Sequence, residues 1–140
     1  MNRKLSSLRA KLNQTQEQIE QLLQDFQGRT RLLPGSVYSL KRRCGKENCR
    51  CARGQLHATT VLSYRGGPKR QTVTPPAEQI ESLRKMTDAY RRFRQARARL
   101  VRLQRQMLEL VDQLQGQRVQ QGEREFQKLR AASSRSRSRR

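Results

Sequence analysis

Residues 86–114 read MTDAYRRFRQARARLVRLQRQMLELVDQL. Within them Met86, Ala89, Phe93, Ala96, Leu100, Leu103, Met107, Leu110 and Leu114 recur in steps of three and four without a fault. That period holds a narrow apolar stripe on one side of a helix and turns it toward a partner helix. A long helix is therefore the backbone of the expected fold. Upstream, Pro75–Pro76 marks a boundary, and AEQIESLRK puts acidic residues where a helix start prefers them. Downstream, Gly116 and Gly122 weaken the helix, so a break is expected near 116–122. Val119, Phe126 and Leu129 suggest a further helical piece, and AASSRSRSRR is low-complexity and expected to be disordered on its own.

A partner for the long helix lies at the N-terminus. Leu5, Leu8, Leu12, Thr15, Ile19, Leu22 and Phe26 form a second heptad seam over residues 1–28, ended by Gly28 and by the turn signal Pro34–Gly35. Between the helices the pattern changes. SVYSLKR alternates, HATTVLSY is rich in β-branched residues, RGGPK is a turn, and RQTVT returns. The expected fold is mainly α with a small β insert. It is an antiparallel helical hairpin, or coiled coil, with a zinc-stapled three-stranded β module at its tip. The segments are an N-terminal coiled-coil helix (1–33), the Cys/His module (34–76), a long arginine-rich helix (77–130) and an Arg/Ser tail (131–140). The second seam outruns the first, which predicts an exposed stripe from Leu103 to Leu114 and hence a homodimer or a partner helix there.

The sharpest local feature is Cys44-Gly-Lys-Glu-Asn-Cys49-Arg-Cys51, followed by His57, the single histidine; these are also all three cysteines. Three thiolates and an imidazole make a complete tetrahedral set for structural Zn2+. A metal would also compensate for a thin core, because its binding free energy is folding free energy. The alternative is three free thiols and an incidental histidine, and the strained C-x-C pair leaves one cysteine to spare. A thiol redox role is a further option, since Arg42, Arg43, Lys46 and Arg50 would lower a thiol pKa. Catalytic zinc has little support, with only Glu47 near the cluster as a base. No nucleophile motif, paired-carboxylate setting or Gly-rich phosphate loop appears, so no enzyme activity is expected.

The chain has 140 residues, 32 Lys plus Arg, 11 Asp plus Glu, and a net charge of +21. Solubility asks for a net charge of only about 2 to 8 in a small domain. The excess points to a polyanion, because Lys and Arg contacts to phosphates release condensed counterions. The charge is concentrated. Lys41, Arg42, Arg43, Lys46, Arg50 and Arg53 crowd the Cys/His loop, a surface suited to phosphates. Arg91, Arg92, Arg94, Arg97, Arg99, Arg102 and Arg105 lie on the long helix with no acidic residue among them. A merely solvated helix would carry acidic partners at i+4. DNA is favoured over RNA as the ligand, because a long helix suits a duplex groove. No apolar run resembles a signal peptide or membrane span, and the odd cysteine count fits a reducing compartment, so the expected location is cytoplasmic, without a membrane partner.

The run GSVYSLKRRCGKENCRCARGQLHATTVLSYRGGPKRQTV, extended to Tyr90, resembles a family of small, functionally uncharacterised bacterial and phage-encoded proteins. The shared features are Cys44, Gly45, Lys46, Cys49, Cys51, Gly54, His57, the Gly66–Gly67 turn, and a Tyr-x-x-Phe pair at Tyr90 and Phe93. The resemblance implies that the three cysteines and the histidine act as a unit, and it carries a loose association with mobile elements. It brings no activity. Two functions follow as expectations: a non-enzymatic nucleic-acid-binding protein, or a coiled-coil adaptor, an accessory subunit of a mobile-element nuclease, transposase or reverse transcriptase complex. A thiol or zinc enzyme ranks below both.

Overall fold

A computed structural model describes residues 3–139. Two α-helices flank a small antiparallel sheet. Helix α1 spans Arg3–Leu23 and runs into a short 3-10 turn at Gln24–Phe26. The strands are β1 (Gly35–Arg42), β2 (His57–Arg65) and β3 (Arg70–Val73), in the order β1-β2-β3. A second 3-10 turn, Arg50–Arg53, lies between β1 and β2. After the 3-10 turn Ala77–Gln79, helix α2 runs from Ile80 to Ser138.

The chain divides into two compact units, and α2 contributes to both. One unit combines the residues up to Gln24 with those from Ala98 onward. Its buried side chains are Leu5, Leu8, Thr15 and Leu22 from α1 and Leu103 and Leu110 from α2. Thr15 sits at an apolar seam position without penalty because its hydroxyl donates to the Lys11 carbonyl at 2.9 Å. The burial of Leu103 and Leu110, each 6% exposed, corrects the expectation of an open stripe between Leu103 and Leu114. An overhang at Leu103 requires the two seams to be aligned from Met86 onward, but Phe26, the last residue of the first seam, meets Phe93, and the exposed apolar residues lie farther along, at Val119, Phe126 and Leu129.

Helix α2 also differs from expectation at its far end. It passes through Gly116 and Gly122 without interruption and continues through the Ser/Arg segment to Ser138, where a break and a disordered tail were expected. A glycine costs a helix about 1 kcal/mol relative to alanine, and here each is embedded among Gln, Arg, Glu and Lys, which are good helix formers. No proline follows Pro76 to stop the helix.

The other unit is Asp25–Arg97. Strand β2 is central, and its consecutive residues Val61, Leu62 and Ser63 are all buried. Because neighbours on a strand point to opposite faces, both faces of the sheet are covered there. The first turns of α2 contribute buried Thr87, Ala89 and Ala96. Phe26 and Phe93 meet edge-to-face with centroids 5.0 Å apart. The Leu33 N–H donates to the Met86 carbonyl at 3.2 Å and ties the entry to β1 onto α2. Gly35 is required just after it: a Cβ there would lie 2.6 Å from the Ser63 carbonyl oxygen.

Candidate metal centre and basic surfaces

The β1–β2 register builds the Cys/His cluster. Gly35 pairs with Tyr64 at one end of the hairpin and Arg42 with His57 at the other. His57 is thus the first residue of β2, and Cys44 lies two residues past the paired end of β1. The connecting loop then supplies the other two thiols. Gly45 takes a φ of 78°, a left-handed conformation that turns the chain directly after Cys44. The N–H of Cys49 donates to the Lys46 carbonyl and that of Ala52 to the Cys49 carbonyl, at 3.2 and 3.1 Å. Cys49 immediately precedes the 3-10 turn and Cys51 lies inside it, so the turn sets their spacing. Gly54, at φ 103°, closes the turn and donates its N–H back to the Arg50 and Cys51 carbonyls.

The result brings one atom from each of Cys44, Cys49, Cys51 and His57 within 4.8 Å of the others. Cys49 Sγ lies 2.8 Å from His57 Nε2, and Cys44 Sγ lies 3.3 Å from Cys51 Sγ. Sulfurs at tetrahedral corners around zinc stand roughly 3.8 Å apart, so the cluster brackets the separation a single ion needs. Cys51 is buried, Cys49 half-buried, and Cys44 and His57 exposed, which places the cluster at the protein surface.

Electrostatics separate two of the thiols. Cys51 is held below the ordinary thiol range, first because the Cys44 backbone N–H donates to its sulfur at 3.2 Å, with burial opposing. Cys44 moves the other way. A backbone hydrogen bond from Lys46 favours its thiolate, but the Cys51 and Cys49 sulfurs, burial and the charge of Cys49 together outweigh that and raise it. Of the two thiols, Cys51 gives up its proton the more readily. The four residues could hold a metal ion, and their donor set of soft sulfur with imidazole is of the kind that zinc takes.

The predicted basic residues are found in two places. Lys41, Arg42, Arg43, Lys46, Arg50 and Arg53 are all exposed around the Cys/His loop. Arg91, Arg92, Arg94, Arg97, Arg99, Arg102 and Arg105 are all exposed along α2. Arg91 meets Asp88 at 3.7 Å. Arg65 and Arg70, which no linear pattern singles out as a basic cluster, are set directly opposite each other across β2 and β3 by the register. Their one linear signal is that they flank the Gly-Gly-Pro-Lys turn.

Among the described residues no helix is long and apolar enough to cross a membrane. No curated protein and no solved structure matches the chain. A family model described as a domain of unknown function (DUF6788) matches residues 9–85. That span takes in most of α1, the whole sheet, the Cys/His loop and the first turn of α2, more than half of the sequence, so the chain belongs to the DUF6788 family.

Proposed function

We propose that this protein is a non-enzymatic nucleic-acid-binding protein, with DNA as the favoured ligand. The observation that carries the reading is the arginine run of α2. Seven arginines fall between Arg91 and Arg105, every one is exposed, and no carboxylate occurs in the sequence from Ala89 to Leu108. Guanidinium groups so arranged repel one another, and a phosphate backbone relieves that repulsion while releasing counterions. The Cys/His loop adds a second basic surface. With structural zinc held by Cys44, Cys49, Cys51 and His57, all four positions are taken by protein, which leaves the ion a staple rather than a reaction centre. The staple keeps Lys41, Arg42, Arg43, Lys46, Arg50 and Arg53 in fixed positions.

A salt titration tests the reading. Binding of duplex DNA should weaken by about a thousandfold or more between 50 and 200 mM salt if six or more phosphates are contacted. Affinity that stays flat over that range overturns it. Running duplex RNA alongside tests the preference for DNA.

A second reading rests on a different observation. Between Asp112 and Leu129 the charges balance, Asp112, Glu123 and Glu125 against Arg118, Arg124 and Lys128, and the exposed apolar residues Val119, Phe126 and Leu129 lie within that stretch. A charge-balanced, apolar helix surface suits another helix better than a phosphate backbone. This favours an adaptor or accessory subunit, with a protein partner at one end of α2 and nucleic acid along its arginines; a mobile-element nuclease, transposase or reverse transcriptase is the partner class in view. Co-purification with a stoichiometric protein, together with nucleic-acid binding that is tight only when that protein is present, would favour this reading over the first.

A further inference from the structure

The Asp25–Arg97 unit contains a cavity of about 520 Å3, walled by Ser36 of β1, Arg65 of β2, Arg70 of β3, and Tyr90, Arg91 and Arg94 of α2. Its volume falls within the range of small-ligand sites, roughly 300 to 1,000 Å3. Four guanidinium groups from three elements line it, and no carboxylate does. The apposition is costly on its own. Arg65 and Arg70 are directly opposed on neighbouring strands, where like charges destabilise the pair. Arg91 and Arg94 are three apart on one helix face, again like charges side by side. Asp88, which is not in the lining, meets Arg91 at 3.7 Å.

The walls are held in place without the arginines. Leu33 is bonded to Met86, Phe93 is packed on Phe26, and the Gly35 backbone sits close against Ser63. The scaffold is therefore fixed, and the four arginines line a preformed concavity. Concavity discriminates between phosphates. A diester within a strand carries one negative charge and continues in both directions, so a pocket would have to admit chain on either side. A monoester carries nearly two charges at neutral pH and three free oxygens, and it ends the chain. Arginine forks match those oxygens two at a time. Tyr90, half-buried in the wall, offers a ring on which a terminal base can stack.

We infer that this cavity is a phosphomonoester site that receives the 5′-phosphorylated end of a nucleic-acid strand. The inference deepens the nucleic-acid reading and rests on it for the polymer, but not for the phosphate, which a free nucleoside monophosphate also carries.

The test measures binding of the full chain to two single-stranded DNA oligonucleotides of one sequence, labelled at the 3′ end, one with a 5′-phosphate and one with a 5′-hydroxyl. Adenosine monophosphate serves as competitor in a third arm. The phosphorylated strand should bind about tenfold tighter or better, as charge-assisted hydrogen bonds to one dianion allow. The preference should shrink below about pH 6, where the monoester takes up its second proton. R65Q/R70Q should abolish the preference and keep the affinity for the hydroxyl strand. R42Q/R43Q should weaken both strands and leave their ratio unchanged. Circular dichroism verifies that both variants are folded, since all four side chains are exposed. Equal binding of the two strands, or an unchanged preference in R65Q/R70Q, overturns the inference while salt-dependent binding leaves the proposed function standing. If adenosine monophosphate binds, requires Arg65 and Arg70, and neither strand binds, the pocket stands with a free nucleotide as its ligand and the nucleic-acid function falls.

Discussion

Replacing Arg99, Arg102 and Arg105 together by glutamine is the most direct perturbation of the arginine face. All three side chains are exposed, so no core contact is lost. Glutamine has nearly the helix propensity of arginine, so α2 should persist. The net charge falls from +21 to +18, because three of the 32 basic residues are neutralised. Each arginine that contacts a phosphate contributes about 0.9 to the slope of log affinity against log salt. If all three make such contacts, the slope becomes shallower by about 2.7, and the fourfold rise from 50 to 200 mM salt costs the variant roughly 40-fold less affinity than the parent. Fluorescence anisotropy on duplex DNA at several salt concentrations reads both quantities. The control is an equal loss of charge elsewhere: Arg3, Arg9 and Lys11, also exposed, changed to glutamine on α1. That variant should leave the slope nearly unchanged. If the α1 variant flattens the slope as much as the α2 variant, the charge acts as a diffuse cloud and the arginine face of α2 has no positional role.

Other outcomes follow from particular residues. Zinc should be recovered at one equivalent per chain by elemental analysis, and Cys51→Ser should lose both the metal and the thermal transition of the sheet, because its sulfur is buried. Acidification should release the metal, since thiols and imidazolium must give up protons to bind it; a metal content unchanged at low pH would contradict a Cys/His site. Gly54→Ala should destabilise by about 1–2 kcal/mol through its φ of 103° alone, since an added Cβ meets no atom within 4 Å, and denaturant unfolding measures that cost. Leu103→Ala, at a position 6% exposed, should cost about 2–5 kcal/mol, whereas Leu129→Ala, at one 62% exposed, should stay within roughly 0.5 kcal/mol. Equal costs would contradict the burial of the α2 seam.

The features legible in the sequence are those written in local period or spacing. The seam from Met86 to Leu114 predicts a helix because its period is a property of neighbouring residues, and α2 covers it. The alternation in SVYSLKR and the turn RGGPK predict β1 and the β2–β3 connection for the same reason. The grouping of Cys44, Cys49, Cys51 and His57 is legible because all four are close in the sequence, on the β1–β2 loop and at the first residue of β2. Features that depend on distant residues were not. Burial at Leu103 and Leu110 depends on what else shares their unit, which no seam length reveals. Gly116 and Gly122 do not break α2 because the good helix formers around both offset their local penalty. The four arginines of the cavity come from β2, β3 and α2, and only the folded hairpin brings them to one place.

The pairing of Arg42 with His57 has a consequence for how the protein is made. Closing the hairpin means bringing the two ends of residues 43–56 together, an entropic cost that grows with the logarithm of loop length. A metal ion captured early by Cys44 and His57 would hold those ends at their final separation while the strands are still unpaired. It would also select one alignment, since a slip of one residue sends every β2 side chain to the opposite face. The rate at which the sheet assembles, and the fraction of chains that assemble it in the native alignment, would then depend on the free metal concentration during synthesis.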